Sequence, residues 1–397
     1  MPTQLLFGPN TLYSEDEVDA FGRARVSTPS RVGDSIFQYN LNPLLIFAVP
    51  TGGATITKTT NESSVTLQCG TGATDSATLQ TREYLRYQPG KSQLITMTGV
   101  IGAPKANVVS EIGYFDNNDG VFFRQDNGMN VVIRSSTSGS PIDTVIPQAL
   151  WNCDRMDGSG PSSLTIDFTK TQLFIIDFQW LGEGRVRFGL NVLGRIYYLH
   201  QAVFTNVLTG PYMNTGSLPA RWRIHNTGVA ASPTVLKAIC YNVSSEAGLE
   251  IRPGLPFSCN TGVTKVSVTS RRPVLSIQLH PTYSGTVNRG IAVMNSVELG
   301  TSSGAAFWEL VLNGVLVGSS FLPIDGNSFM DTDMSATAIS GGTILLSGFA
   351  SESVDLTKLY GLSSSFDGTV GDILSVVMTS FSGTAKVSSS LNWDEVR

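Results

Sequence analysis

Two acidic loops and three histidines are the residues of this chain whose types could do chemistry. Asp116-Asn117-Asn118-Asp119-Gly120 has the oxygen-rich composition of a calcium loop, and Asp154, Asp157 and Ser159 form a second oxygen cluster. In the first loop the glycine comes one position too early for the EF-hand pattern, and the bidentate glutamate is lacking. Asn, Asp and Gly also supply the backbone angles that turns require, and turns are the expectation for both loops. His200, His225 and His280 have no local partner pattern, and no G-x-S-x-G elbow accompanies them. Cys69, Cys153, Cys240 and Cys259 are irregularly spaced with no C-x-x-C pair, which predicts free, mostly buried thiols and no zinc site.

Glycoside hydrolysis needs two carboxylates facing each other across the sugar. A strand presents them as alternate acidic residues, and no E-x-D-x-E occurs in any predicted strand. Glu15, Glu17 and Asp19 alternate, but in the N-terminal segment. Asp177 has no acidic neighbour at 175 or 179, and Glu183 falls in a turn. The segment Arg82-Glu83-Tyr84-Leu85-Arg86-Tyr87 interleaves aromatic and basic residues, as a stacking platform for a sugar or a base would. Cross-strand pairing on a sheet face is the preferred reading, so burial of Tyr84, Tyr87 and Trp151 would count against a glycan site there. No catalytic, cofactor-binding or metal-binding residue is assigned.

The elements that must position these residues are strands. Between 164 and 204, Phe174, Ile176, Phe178 and Trp180 alternate on one face, as do Val186, Phe188, Leu190 and Val192 after Gly182-Glu183-Gly184. A third segment, 195–201, follows Leu193-Gly194. Period-two alternation predicts three antiparallel strands joined by tight turns. Arg185, Arg187, Asn191 and Arg195 then face solvent or a neighbouring subunit. Earlier segments at 44–49, 64–68, 94–100, 108–114, 120–124 and 129–135 read the same way. The chain is 41% hydrophobic and only 14% charged, with 40 glycines, a balance that suits short strands and many turns.

These patterns predict an all-β protein of two β-sandwich domains, the first jelly-roll or concanavalin-like, the second smaller. Trp151, Trp180 and Trp222 are core or sheet-edge anchors. Residues 1–30 read as an N-terminal arm, 31–247 as the first sandwich, 248–256 as a Gly/Pro linker and 257–397 as the second sandwich. In the latter, Asn313-Gly314 between two apolar runs predicts a hairpin, and 354–362 holds at most a helical turn. No fixed repeat supports a β-helix or propeller. The net charge of −5 comes without a basic block, which disfavours nucleic acid. The longest apolar run, 44–49, is too short to cross a bilayer. MPTQLLFGPN has no basic n-region, and no export signal is expected.

Ala20-Phe21-Gly22-Arg23-Ala24-Arg25-Val26-Ser27, Asn42-Pro43-Leu44-Leu45, Arg86-Tyr87-Gln88-Pro89-Gly90-Lys91, Ile112-Gly113-Tyr114-Phe115-Asp116 and Trp151-Asn152-Cys153-Asp154-Arg155-Met156-Asp157 resemble segments of virion structural proteins of tailed bacteriophages, especially those of cyanobacteria and marine bacteria. The similarity spans most of 18–250, and Leu391 to Arg397 resembles the ends of related proteins. The resemblance implies a non-enzymatic structural component, assembled in the host cytoplasm and placed at the capsid surface as cement or decoration, or in the neck, tail, baseplate or fibres. It implies no cofactor, and partners that are other virion proteins and copies of the chain, with a trimer as the implied oligomer. A module binding a host-surface glycan is the alternative, and a polysaccharide-degrading enzyme a third class.

Overall fold

The computed structural model describes residues 4–7, 11–14, 17–26, 28–246, 254–263, 266–349, 353–356 and 361–397, with side chains from Glu17 onward. The chain forms two compact units, Met1–Glu250 and Ile251–Arg397. Among the described residues there is no α-helix; short 3-10 turns lie at Thr60–Glu62 and Gln148–Leu150. The strand 4–7 pairs with 11–14. Most of the expected linker, 248–253, and residues 1–3, 8–10, 15, 16 and 27 of the expected arm lie outside the described residues.

The first unit is a sandwich of two antiparallel sheets, which is the jelly-roll or concanavalin-like arrangement. One has seven strands in the order Ile142–Pro147, Met129–Ser135, Gly120–Gln125, Val108–Phe115, Ala220–Asn226, Ser76–Thr81, Ile46–Thr51. The other runs Arg195–Ala202, Val186–Val192, Gln172–Phe178, Gln93–Val100, Thr234–Ser245, Ser64–Cys69, Thr55–Thr59, and Ser30–Ile36 also pairs with Thr234–Ser245. Alternation sets the layers. Ile112, Tyr114, Val121, Phe123, Val131, Ile133, Trp222 and Ile224 point inward from the first sheet, and Ile95, Met97, Phe174, Ile176, Phe178, Phe188 and Leu190 meet them from the second. Phe123 touches Phe174 and Phe188 edge-on or tilted, with ring centres 4.9 and 5.6 Å apart. Burial of this apolar surface is the main stabilising term.

The stretch 164–204 supplies the three adjacent strands its alternation predicts, at Gln172–Phe178, Val186–Val192 and Arg195–Ala202. A bulge at Phe188/Gly189 shifts the register against the third. Leu199 consequently enters the core, while the Tyr198 hydroxyl reaches Asp177 on the outward side. Such a slip of one residue exchanges faces, which simple alternation cannot reveal.

The second unit stacks a five-stranded sheet built on Ala385–Val396 and Ile291–Ser303 with a six-stranded sheet ordered Leu322–Pro323, Met330–Asp333, Arg272–Leu279, Ile373–Ser380, Ala306–Leu312, Thr343–Phe349. Asn313-Gly314 does not close the predicted hairpin. Ala306–Leu312 pairs with Ile373–Ser380 and Thr343–Phe349, and Val315–Val317 pairs instead with Ala338–Ser340. The reason is the Asn313 amide, whose Nδ2 donates to Asp372 and whose Oδ1 accepts from the Ile373 backbone N–H, 2.8 and 2.9 Å away. Asn313 has a φ of 53°, but its side chain ties the turn to a different strand. Val354 lies on a short strand, Ser353–Asp355, rather than in a helical turn; residues 357–360 lie outside the described residues.

Candidate functional site

Two clusters of arginines and carboxylates occupy the two outward faces of the first sandwich. The first is on the seven-stranded sheet. Glu111 projects outward from Val108–Phe115, and the register places Arg124 directly opposite on one neighbour and Arg223 on the other. Arg223 Nε donates to Glu111 Oε2 at 2.6 Å and Arg124 Nε to Oε1 at 3.0 Å. Asp143, on the outermost strand, accepts from Arg134 Nε and Nη2 at 2.7 and 3.0 Å, and from Arg124 Nη2 at 2.5 Å. Arg124 therefore joins the two acids. Burial alone would push the Glu111 carboxyl up, but Arg223 and Arg124 outweigh it and hold it near 2. Asp143 is likewise held below its ordinary value, hydrogen bonds from Arg134 and Arg124 outweighing its partial burial.

Beneath these charges lie Phe115 and Phe122, stacked with ring centres 4.2 Å apart and buried with Val132. The Arg134, Arg221 and Arg223 guanidinium carbons stand 6.0, 5.2 and 5.8 Å from the Phe115 ring centre. Gly113, opposite both Phe122 and Arg221, makes this layer possible, because a Cβ there would stand 2.5 Å from Phe122 Cα. Arg221 is buried, with Nε on Gln80 Oε1 and Nη1 on Asn117 Oδ1, each at 2.7 Å. Its burial, with Arg223 adding repulsion, pushes the guanidinium down to about 10 against the opposing influence of Tyr84. Burial and then Arg223 push His225 down to about 4.

The second cluster is on the eight-stranded sheet and is covered. Asp177 is fully buried and accepts from Arg187, from Arg25 Nη2 at 2.5 Å, from the Tyr198 hydroxyl at 2.8 Å and from Ser92 Oγ at 2.9 Å. Arg25 Nε also pairs with Glu246 at 2.8 Å. Burial raises Asp177, but Arg187 and Arg25 with the two hydroxyls hold it low. Glu246, left with burial and the Asp177 charge against it, is pushed up to about 7 despite Arg25. Residues 17–26 form the cover. Among the described residues their backbone–backbone bonds are internal, Asp19 N to Arg23 O and Arg25 N to Glu17 O among them. Side chains fasten the segment: Arg187 donates to Val18 O at 2.7 Å, and Arg185 donates to Asp19 O and Ala20 O at 3.1 Å. Val18 and Ala20 are buried.

The structure thus distributes the expected residues differently from the sequence reading. Residues 17–26, read as part of an N-terminal arm, fold back on their own unit. Arg187 is 0% exposed rather than outward to solvent, because Asp177 and Val18 take its donors; Arg185 is half-buried under the same segment, while Arg195 is exposed. Tyr84, Tyr87 and Trp151 are 6%, 5% and 5% exposed, so the stacking platform does not exist. Their hydroxyls and indole are spent internally, Tyr84 on Asp116, Tyr87 on the Trp180 N–H and Trp151 on Ile146 O. Trp222 is fully buried, and Trp180 packs at the edge of the core.

Both acidic loops are turns. Asp116 accepts from the Asn118 and Asp119 N–H groups, Asp154 from those of Met156 and Ser162, and Asp157 from that of Ser159. Among the described residues no group of three His, Cys, Asp or Glu side chains converges as a metal site. Cys69 and Cys259 are buried thiols, and Cys153 and Cys240 half-buried ones. His200 is half-buried, His225 lies beside the arginine cluster, and in the second unit His280 Nδ1 meets Asp331 at 2.7 Å. Among the described residues no helix is long and apolar enough to cross a membrane.

The Glu111 cluster escaped sequence reading because its members come from five strands, four consecutive ones between 108 and 147 and a fifth at 220–226 inserted beside the first. One local signal was available: Arg221-Trp222-Arg223-Ile224-His225 alternates basic and apolar residues, the mark of a strand with a charged outer face.

No family model matches the chain, and no curated protein matches it. Among solved structures, a glycosyl hydrolase family 16 protein from Mycobacterium smegmatis is 10% identical, with 54% of this chain and 100% of that one covered at a TM-score of 0.35. A glycoside hydrolase family protein from Mycobacterium thermorestibile is 9% identical, covering 53% and 99% at 0.36. The Emp47p carbohydrate recognition domain is 9% identical, covering 55% and 98% at 0.34. Likenesses this faint carry no argument about what this chain does.

Proposed function

We propose that this chain is a non-enzymatic structural component of a tailed-phage particle, assembled through contacts with copies of itself and with other virion proteins. The observation that carries the assembly is the rim of the second unit. Thr343–Phe349 ends its sheet and, among the described residues, has a partner strand on one side only. Ile344 and Phe349 are 53% and 65% exposed on it, and Phe381, stacked on Phe349 at 5.7 Å, is 57% exposed. Soluble proteins ordinarily blunt such edges with charge or cover them. This strand carries no charge, so two copies can approach without like charges opposed.

The disposition of the acids supports the non-enzymatic part. Glu111 and Asp143 both lie on one Arg124 nitrogen, which brings them near the separation of about 5–5.5 Å that a retaining glycosidase uses. Such an enzyme needs one of the two protonated, with a raised pKa. Here arginines keep both ionised. The other paired acids, Asp177 and Glu246, are sealed under residues 17–26. Mass spectrometry of purified particles tests the reading. The polypeptide should be present in stoichiometric amount, and its absence sinks the proposal.

A carbohydrate-binding role for the first unit is the second reading. Arg124 and Arg223, whose side chains stay 13% and 18% exposed on the outward face of the seven-stranded sheet, favour it.

A further inference from the structure

We propose that Thr343–Phe349 pairs with the same strand of a second copy of this chain, antiparallel about a two-fold axis perpendicular to the sheet. This rests on the assembly reading and names its partner and its symmetry.

Among the described residues, every strand that ends one of the four larger sheets carries a residue that discourages pairing, except Thr343–Phe349. In the first unit Asp143 and Pro147 mark one such edge, and Pro50, Arg195 and Lys58 mark the others. In the second unit Pro256, Asp355 and Pro323 do the same. Proline withholds a ladder donor, and a charge resists being enclosed between strands. Thr343–Phe349 runs for 7 residues with neither. An open edge accepts another strand, and among these edges a second copy offers only the same one.

The exposed side chains fit a two-fold. Ile344, Ser347 and Phe349 stand opposite Val311, Glu309 and Phe307, which alternate on one face, so the first three share that face as well. An axis perpendicular to the sheet keeps like faces together and brings the Phe349 end of one strand beside the Ile344 end of the other. The exposed Ile344 and Phe349 then cover each other between copies, and Phe381, stacked on Phe349, adds to the cover at each end. The bulge at Leu310/Val311 leaves Leu345 without an opposite residue, whereas Leu346 to Phe349 keep regular register, which places the axis near Ser347.

Charge does not oppose the approach. Glu309, opposite Ser347, is paired with Arg271 at 2.6 Å. Self-pairing also limits the assembly, because it consumes the edge in a dimer. This contact therefore cannot close the trimer that the sequence resemblance implies.

The test is sedimentation velocity of the full chain over a range of concentrations, with Ser347→Lys beside it. Ser347 is exposed and near the axis, so the substitution sets two like charges against each other. The natural chain should dimerise, and the dissociation constant of the variant dimer should rise at least tenfold, with part of the loss recovered in high salt. Ser347→Cys serves if the lysine variant does not fold. Mild oxidation should link it into a dimer much faster than the natural chain, whose own thiols are buried or half-buried, and failure to link overturns the inference. A monomer at every concentration, a closed trimer, or a dimer indifferent to Ser347→Lys overturns it too. Each of these leaves the virion reading standing, since the composition of purified particles decides that separately. A chain abundant in particles yet monomeric alone assigns the edge to a different virion protein.

Discussion

The two outward faces of the first sandwich solve one problem in opposite ways. Each carries an acid on a central strand flanked by arginines, Asp177 with Arg187 and Arg25 on one, Glu111 with Arg124 and Arg223 on the other. The first is closed by residues 17–26, which bring their own arginine and bury the network. The second has no such cover among the described residues, and Arg124 and Arg223 keep 13% and 18% of their side chains exposed. In the closed cluster, charge fastens chain to chain. In the open one, Arg124 and Arg223 share Glu111 while part of each side chain stays at the surface.

The largest expected effect is at the closed cluster. Asp177→Ala leaves Arg187 buried without its carboxylate, together with the Ser92 and Tyr198 hydroxyls. Breaking one partner of a buried ion pair costs about 3–5 kcal/mol, read as a lower guanidinium midpoint at unchanged slope. Glu111→Ala removes an equally buried acid, but Arg124 and Arg223 can turn to water. Its cost should be about 1–3 kcal/mol. Equal losses in the two variants would break the distinction between closed and open clusters.

Acid separates the faces by sign. Glu111 is held near 2, below an ordinary glutamate at 4.5, so its contribution is present above 4.5 and is lost as pH falls toward 2. Glu246 is raised to about 7, so the folded form takes up its proton first, and stability falls as pH rises from 4.5 to 7. Urea midpoints across this range should show the second slope in the natural chain. In Glu246→Gln that slope should vanish while the acid-side loss stays. A Glu246→Gln profile superimposable on the natural one would remove Glu246 from the closed cluster's balance.

Much of this was legible in the sequence wherever local pattern decides structure. Alternation found the strands of 164–204 because packing one face of a sheet imposes period two. It missed the bulge at Gly189 and the pairing of Asn313, where a single residue's register or side-chain bond overrides the pattern. The clusters were not legible, because an ion pair such as Arg25 with Asp177 joins residues 152 apart, and only the folded sheet brings them together. Tyr84 and Tyr87 looked like a surface platform for the same reason, since nothing local shows that Asp116 and Trp180 will meet their hydroxyls.

The smallest effect probes the fastening of residues 17–26. Arg185 spans the edge of that segment through hydrogen bonds to two of its carbonyls, Asp19 O and Ala20 O. Arg185→Ala should cost about 1 kcal/mol, because two neutral carbonyls lose a donor whose own side chain is only half-buried. Among the described residues the segment has no backbone ladder bonds to the sheet, so weakening one side-chain tether should loosen it as a unit. Amide exchange at Asp19, Arg23 and Arg25 should quicken together in the variant, while exchange on Val108–Phe115, across the sandwich, stays unchanged. Quickening on both faces would mean that the segment supports the whole sandwich and is more than a cover for one cluster.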